Sequence, residues 1–183
     1  MDKAKSVTQR LSETISNLTE IVRINDESRE LTAEHLLLAE VVEHIVNSLV
    51  ISVEKSEAQI THDFSACPGL NYPRVYLESI LLNLLTNALK YRAMERRPQI
   101  HLKSWKQDKF VVLSCTDNGL GIDLDKHGKK IFGLNQTFHP NPDARGVGLF
   151  ITKNQIEALG GKIEVTSQVG LGTTFTIYFL DKN

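Results

Sequence analysis

Helix-period and strand-period segments alternate along this chain, and the chain finishes in a hairpin. That order limits the fold more than any other feature. A long apolar helix is predicted over 74–93, followed by two alternating strands at 99–105 and 110–117, joined around Gln107-Asp108. A helix over 147–159 stops at Gly160-Gly161, and strands at 162–167 and 173–180 close around Gly170 and Gly172. Upstream, a helix is read over 37–55, with Leu38, Val41, Val42, Ile45, Leu49 and Val50 on one face. A short strand, Gln59–Phe64, follows, and Pro68-Gly69 and Pro73 mark a turn. The alternation argues for an α/β fold, a helical layer on a mostly antiparallel sheet.

Residues 3–24 read as one more helix, because Val7, Leu11, Ile15, Leu18 and Val22 form a single stripe. So few turns are marginal alone in water, so the stripe wants a partner or can form a homodimer. Residues 25–34 are polar and linker-like. The expected division is therefore 1–30 and 31–183.

The 183 residues are 41% hydrophobic, enough for a core. Charges nearly cancel, 21 basic against 22 acidic, and no basic run exceeds Arg96-Arg97, which gives no electrostatic case for nucleic acid. No apolar stretch reaches the roughly 18 residues of a membrane span. The polar start, Met1-Asp2-Lys3-Ala4-Lys5, lacks a signal-peptide core. The expectation is a cytoplasmic protein, or the cytoplasmic part of a membrane-bound one. Cys67 and Cys115 fit no metal spacing and read as reduced packing residues.

Four short pieces carry chemistry. On the helix at 76–91, Asn83, Asn87 and Lys90 stand at i, i+4 and i+7 and share one face, while Leu77, Leu81, Leu84, Leu85 and Ala88 take the others. Amide oxygens suit Mg²⁺ and an ammonium suits phosphate; a solvated polar edge gives the same pattern. Asp117-Asn-Gly-Leu-Gly-Ile122 follows a strand directly. Gly119 and Gly121 permit a tight turn, and Asp117 could accept an adenine amino hydrogen; a plain Asn-Gly turn is the simpler account. Arg145-Gly-Val-Gly-Leu-Phe150 opens a helix, where exposed amides and an arginine can hold phosphate. No Gly-x4-Gly-Lys-Ser/Thr occurs, which excludes a Walker-type loop. Gly172-Thr-Thr-Phe175 opens the last strand and on its own is only a hairpin.

In their order and on these elements, the four pieces resemble the asparagine box, the two glycine boxes and the final Gly-Thr strand of the histidine kinase ATPase family. That family is the branch of the GHKL superfamily shared with DNA gyrase, HSP90 and MutL. The segment Glu157–Glu164 looks like its last helix–strand junction, and the resemblance covers roughly residues 36–181. It implies a two-layer α/β sandwich of the Bergerat type, with a mixed sheet of about five strands, about three helices and an ATP lid at 119–146, preceded here by a single helix. It implies ATP and Mg²⁺ as ligands. Asn87 would coordinate the metal, supported by Asn83, with Lys90 and Tyr91 at phosphate or ribose. Asp117 would bind adenine with Thr173. Gly119, Gly121, Ile122, Gly146, Val147, Gly148 and Leu149 would line the pocket or hinge its lid, and Gln136 and Arg145 are phosphate candidates.

Hydrolysing members of the superfamily place a glutamate base one turn before the metal asparagine. That position is Asn83 here, and an amide cannot take a proton from water. The resemblance therefore implies transfer of the γ-phosphoryl group to a histidine, with Asn83 and Lys90 at the reacting end, rather than hydrolysis.

Two features depart from the pattern. Ile131–Phe138 holds both lid aromatics at longer spacing than the family's Phe-x-x-Phe. No histidine stands on a helix before an acidic residue: His35, His44, His101, His127 and His139 lack that neighbour, and His62 precedes Asp63 within a predicted strand. The helix at 3–24 resembles the second helix of a dimerisation hairpin, with the acceptor outside this chain. The implied partners are the dimerisation and phosphoacceptor helices of the same kinase and a downstream response regulator. Two other functions share these boxes: a catalytically inactive nucleotide-binding module, and a serine kinase of the anti-sigma type.

Overall fold

The computed structural model describes residues 31–134 and 147–181. The helix expected over 3–24 lies outside them.

Five strands form the main sheet: β2 (Gln59–Asp63), β4 (Gln99–Gln107), β5 (Phe110–Asp117), β6 (Lys162–Gln168) and β7 (Gly172–Leu180), in the order β2-β4-β5-β7-β6. β2 runs parallel to β4, with Gln59 opposite Gln99, and the remaining pairs are antiparallel. The sheet is therefore mixed, as expected. One face alternates into the core through Ile100, Leu102, Leu113, Cys115, Phe175, Ile177 and Phe179.

The covering layer consists of α1 (Leu38–Ser48), α3 (Arg74–Lys90) and α5 (Gly148–Ala158). On α3, Leu77, Ile80, Leu81, Leu84, Leu85 and Ala88 are all buried, which explains why this helix is so apolar. Its amphipathic signal is broad because α1 and α5 flank it on the sheet. A short α4 (Leu124–His127) and a 3₁₀ turn at Gly128–Lys130 follow the first glycine-rich turn. The Asp123 carboxylate caps α4 by accepting from Lys126 N at 3.2 Å.

Three expectations need correction. The helix read over 37–55 is two helices, α1 and α2 (Val50–Ser56), separated at Leu49. The Ser48 hydroxyl donates to Ile45 O at 2.6 Å and competes for a carbonyl of the last turn. Beyond the break no residue of α2 is fully buried, and Val50 and Ile51 are exposed. The helix read over 74–93 ends at Lys90, where the Arg92 guanidinium donates to Leu89 O at 2.9 Å. Finally, a two-stranded sheet was not legible: β1 (Glu34–Leu37) pairs antiparallel with β3 (Gly69–Tyr72), burying Leu36, Leu70 and Tyr72. Strands of four residues carry too few periods to stand out in a polar stretch.

Candidate functional site

The site begins on α3. Asn83, Asn87 and Lys90 lie partly exposed along one line of the helix. Asn83 is held from both sides: its Nδ2 donates to Thr152 Oγ1 of α5 at 2.8 Å, and its Oδ1 faces Asn87 Nδ2 at 3.4 Å. Thr152 is buried and Asn83 half-buried, so this polar contact is partly shielded between the two helices. One turn away, Gln155 Nε2 donates to Ser79 Oγ at 3.1 Å, continuing a polar seam between α3 and α5. Gly148, at the start of α5, packs so closely that an added Cβ would collide with Asn83 Oδ1. A glycine is needed there for approach, not for an unusual backbone angle. The Lys90 ammonium stands 5.7 Å from the Tyr91 ring centroid. Burial pushes the Tyr91 phenol up.

From Tyr91 the site passes to the turn after β5. Leu120 N donates to Tyr91 O at 2.9 Å, and a Cβ on Gly119 would meet that same carbonyl at 2.6 Å. Asp117, the last residue of β5, accepts at Oδ1 from Gly119 N at 2.8 Å and from Thr173 N at 3.3 Å. Burial pushes its carboxyl up; the Gly119 and Thr173 amides and the Arg96 guanidinium pull the other way. Thr173 is buried at the start of β7, opposite Asp117 in register.

The glycines here are dictated by geometry. Gly121 has φ +69° and faces Gln168 O too closely for any side chain. Gly172, at φ +130°, faces Asp117 O in the same way. Ser167 Oγ ties the pieces together: it receives Ile122 N at 2.8 Å and lies 2.8 Å from Gly172 O and 2.9 Å from Thr173 Oγ1.

Direct contacts therefore run from Gly148 through Asn83, Asn87, Tyr91 and Gly119 to Asp117 and Thr173. Val147 is buried and Leu149 half-buried at the start of α5. Arg145, Gly146 and Gln136 lie outside the described residues, as do His139 and the second lid aromatic, Phe138. Of the other histidines, His35, His44, His62 and His101 are exposed. His62 sits in β2, stacked on Phe64 with centroids 4.7 Å apart, and His101 Nδ1 lies 2.9 Å from Thr61 Oγ1. Both cysteines are buried and free, and burial pushes the Cys115 thiol up to about 12, so it stays an unreactive packing group.

Three residues at the site carry no motif. Thr152 and Ser167 look like ordinary helix and strand residues. Arg96 looked like half of a surface basic pair. Its Nε instead donates to Asn118 O at 2.6 Å, and one terminal nitrogen reaches Gly119 O and Gly170 O, each at 2.7 Å.

Residues 73–183 match the family described as histidine kinase-, DNA gyrase B-, and HSP90-like ATPase. The chain is similar to the methanogenesis regulatory histidine kinase FilI of Methanothrix harundinacea: 35% identical over 106 residues, 58% of this chain and 12% of that protein. It is also similar to the signal transduction histidine-protein kinase AtoS of Escherichia coli, at 33% over 139 residues, 73% of this chain and 22% of that protein. It thus spans a fifth or less of one and little more than a fifth of the other. Among solved structures, full-length ShkA in complex with AMPPNP superposes with a TM-score of 0.75 over 98% of this chain and 40% of that one, at 21% identity. At that identity the likeness is one of fold.

Proposed function

The chain belongs to the histidine kinase-, DNA gyrase B-, and HSP90-like ATPase family, and from that premise we propose that it binds Mg-ATP and transfers the γ-phosphoryl group to a histidine on a dimerisation helix outside residues 1–183. The observation that carries this reading is the Asp117 carboxylate. Two backbone amides occupy its Oδ1, which leaves Oδ2 to accept the exocyclic amino hydrogen of adenine. An acceptor fixed this way selects a base that offers a donor there.

The phosphate end follows from the chain of contacts. Asn87 turns its Nδ2 toward Asn83, so its oxygen, a hard neutral ligand, is the atom to meet a cation. Mg²⁺ held there by Asn87 would neutralise charge on the phosphate oxygens. Lys90 adds positive charge beside the same helix face, and the amides opening α5 add a partial one. Asn83 offers only amide groups, both directed at protein partners, so it orients Asn87 and cannot deprotonate water. Transfer to an imidazole nitrogen breaks the γ-phosphorus bond to the bridging oxygen, releases ADP and frees the imidazole proton. Positioning and charge neutralisation are the contributions these residues make. Residues 1–30 fit the role of the remaining helix of a dimerisation hairpin plus linker, and a response regulator would then receive the phosphoryl group.

The test is phosphotransfer from labelled ATP to a separately supplied acceptor hairpin. The expected product is an acid-labile phosphohistidine. An acid-stable phosphoserine would instead assign the chain to the serine-kinase branch, and ATP binding without any transfer would leave a nucleotide-binding regulatory module.

A further inference from the structure

The guanidinium of Arg96 makes three short contacts at the base end of the site, and none of them is used in holding the nucleotide. It comes from the connection between α3 and β4, yet it joins two separate loops. Its Nε and one terminal nitrogen take the carbonyls of Asn118 and Gly119, in the turn carrying Asp117, and that nitrogen also takes the carbonyl of Gly170, at the β6–β7 tip. The tip is tied back by Gly170 N donating to Leu120 O at 2.8 Å. Gly170 has φ +81°, the left-handed conformation that glycine adopts without strain.

Asn118 holds the same turn to the start of β4 and to the residues just before it. Asn118 Oδ1 accepts from Gln99 N at 2.9 Å, and Asn118 Nδ2 donates to Arg97 O at 3.0 Å. The Gly119 amide that grips Asp117 belongs to the same residue whose carbonyl Arg96 grips. The adjoining Arg97 makes one such bond, to Glu57 O at 2.7 Å, in a different place. Lysine could not substitute: it is a single point donor, whereas the planar fork of arginine reaches carbonyls from two loops at once.

We propose that Arg96 is the positioning residue for base recognition: by locking the Asn118-Gly119 turn to the β6–β7 tip, it fixes the direction in which Asp117 presents its free carboxylate oxygen, and so sets the preference for a 6-aminopurine. This rests on the nucleotide reading of the site. Arg96 need not touch the base. Without it, the Asn118 and Gly119 carbonyls lose their shared donor, and Asp117 loses the fixed frame that aims it.

The test compares ATP with purine riboside triphosphate, which lacks the amino group, by competition against a fluorescent ATP analogue on the full chain. Wild type is expected to prefer ATP by about tenfold or more, the discrimination given by one hydrogen bond to a charged acceptor. Arg96→Gln is expected to weaken ATP about tenfold and the analogue by less than about twofold, so that the preference collapses. Arg96→Lys, which keeps the charge and one donor, is expected to fall between, and it serves if the glutamine variant fails to fold. Equal weakening of both ligands, the signature of a merely structural role, overturns the proposal, as does an unchanged preference. The Asp117→Asn variant separates the two layers of inference. If it keeps wild-type preference, the base is not read at Asp117 and both readings fail. If it loses preference while the Arg96 variants keep theirs, only the role of Arg96 fails.

Discussion

The two ends of the candidate site are built on opposite plans. At the phosphate end, Asn83, Asn87 and Lys90 come from a single helix, and side-chain amides hold one another in line. At the base end, Arg96, Asp117 and the hairpin residues Gly170 and Thr173 come from three places in the chain and meet through backbone amides and carbonyls. A helix face can present a row of ligands but cannot easily grip a flat base. A cluster of strand ends and turns can, because backbone donors at fixed spacing leave one carboxylate oxygen unsatisfied in a set direction. The phosphate end should therefore depend on its side-chain row alone, and the base end on one carboxylate together with the backbone frame that aims it.

The largest expected effect sharpens that contrast. Asp117→Asn keeps an oxygen for the Gly119 and Thr173 amides but turns a donor toward the adenine amino group. ATP affinity should fall by about two orders of magnitude, measured by calorimetry. The fold should not suffer. Burial raises the Asp117 carboxyl from its ordinary value, so the folded protein holds that proton more tightly than the unfolded chain does. Stability from the protonated form is present below the ordinary carboxylate pKa and is lost as pH rises through the raised one. At neutral pH the nucleotide-free Asn variant should melt at the same temperature as wild type or higher, and the gap should close as pH falls through the carboxylate range. A variant that melts well below wild type at neutral pH would show that the carboxylate is structural.

A smaller effect is expected at the other end. Gly148→Ala places a methyl against Asn83 Oδ1, and Thr152 hinders the amide from swinging away. A displacement costing about 1 kcal/mol should slow phosphotransfer about fivefold and change adenosine binding by less than twofold. Equal losses in both would mean that the two ends move as one mechanical unit.

The same contrast explains what could be read before the fold was known. The row on α3 follows from helical spacing alone, and Asp117 with its glycines follows from their order at a strand end. Even there, the reason for each glycine lies in the tertiary fold: Gly148 is required by Asn83, 65 positions away in sequence, and Gly121 by the carbonyl of Gln168. Arg96, Thr152 and Ser167 were not legible, because their partners are backbone atoms or side chains brought close only by tertiary packing. The β1–β3 pair escaped for a related reason: its strands are 31 residues apart and each shows four residues of weak alternation. The break at Leu49 escaped because no glycine or proline marks it, and the exposure of Val50 and Ile51 depends on what the helix can cover.

The central claim, that Asn87 on α3 holds a metal-bound triphosphate while Asp117 reads its base, is tested most directly by titrating ATP into wild type and Asn87→Ala, each with and without Mg²⁺. In wild type, Mg²⁺ should tighten ATP by about tenfold or more, while adenosine should bind the same with or without it. In Asn87→Ala the Mg²⁺-dependent gain should vanish and adenosine binding should persist. An undiminished Mg²⁺ gain in Asn87→Ala would contradict the account, because the metal would then be held elsewhere.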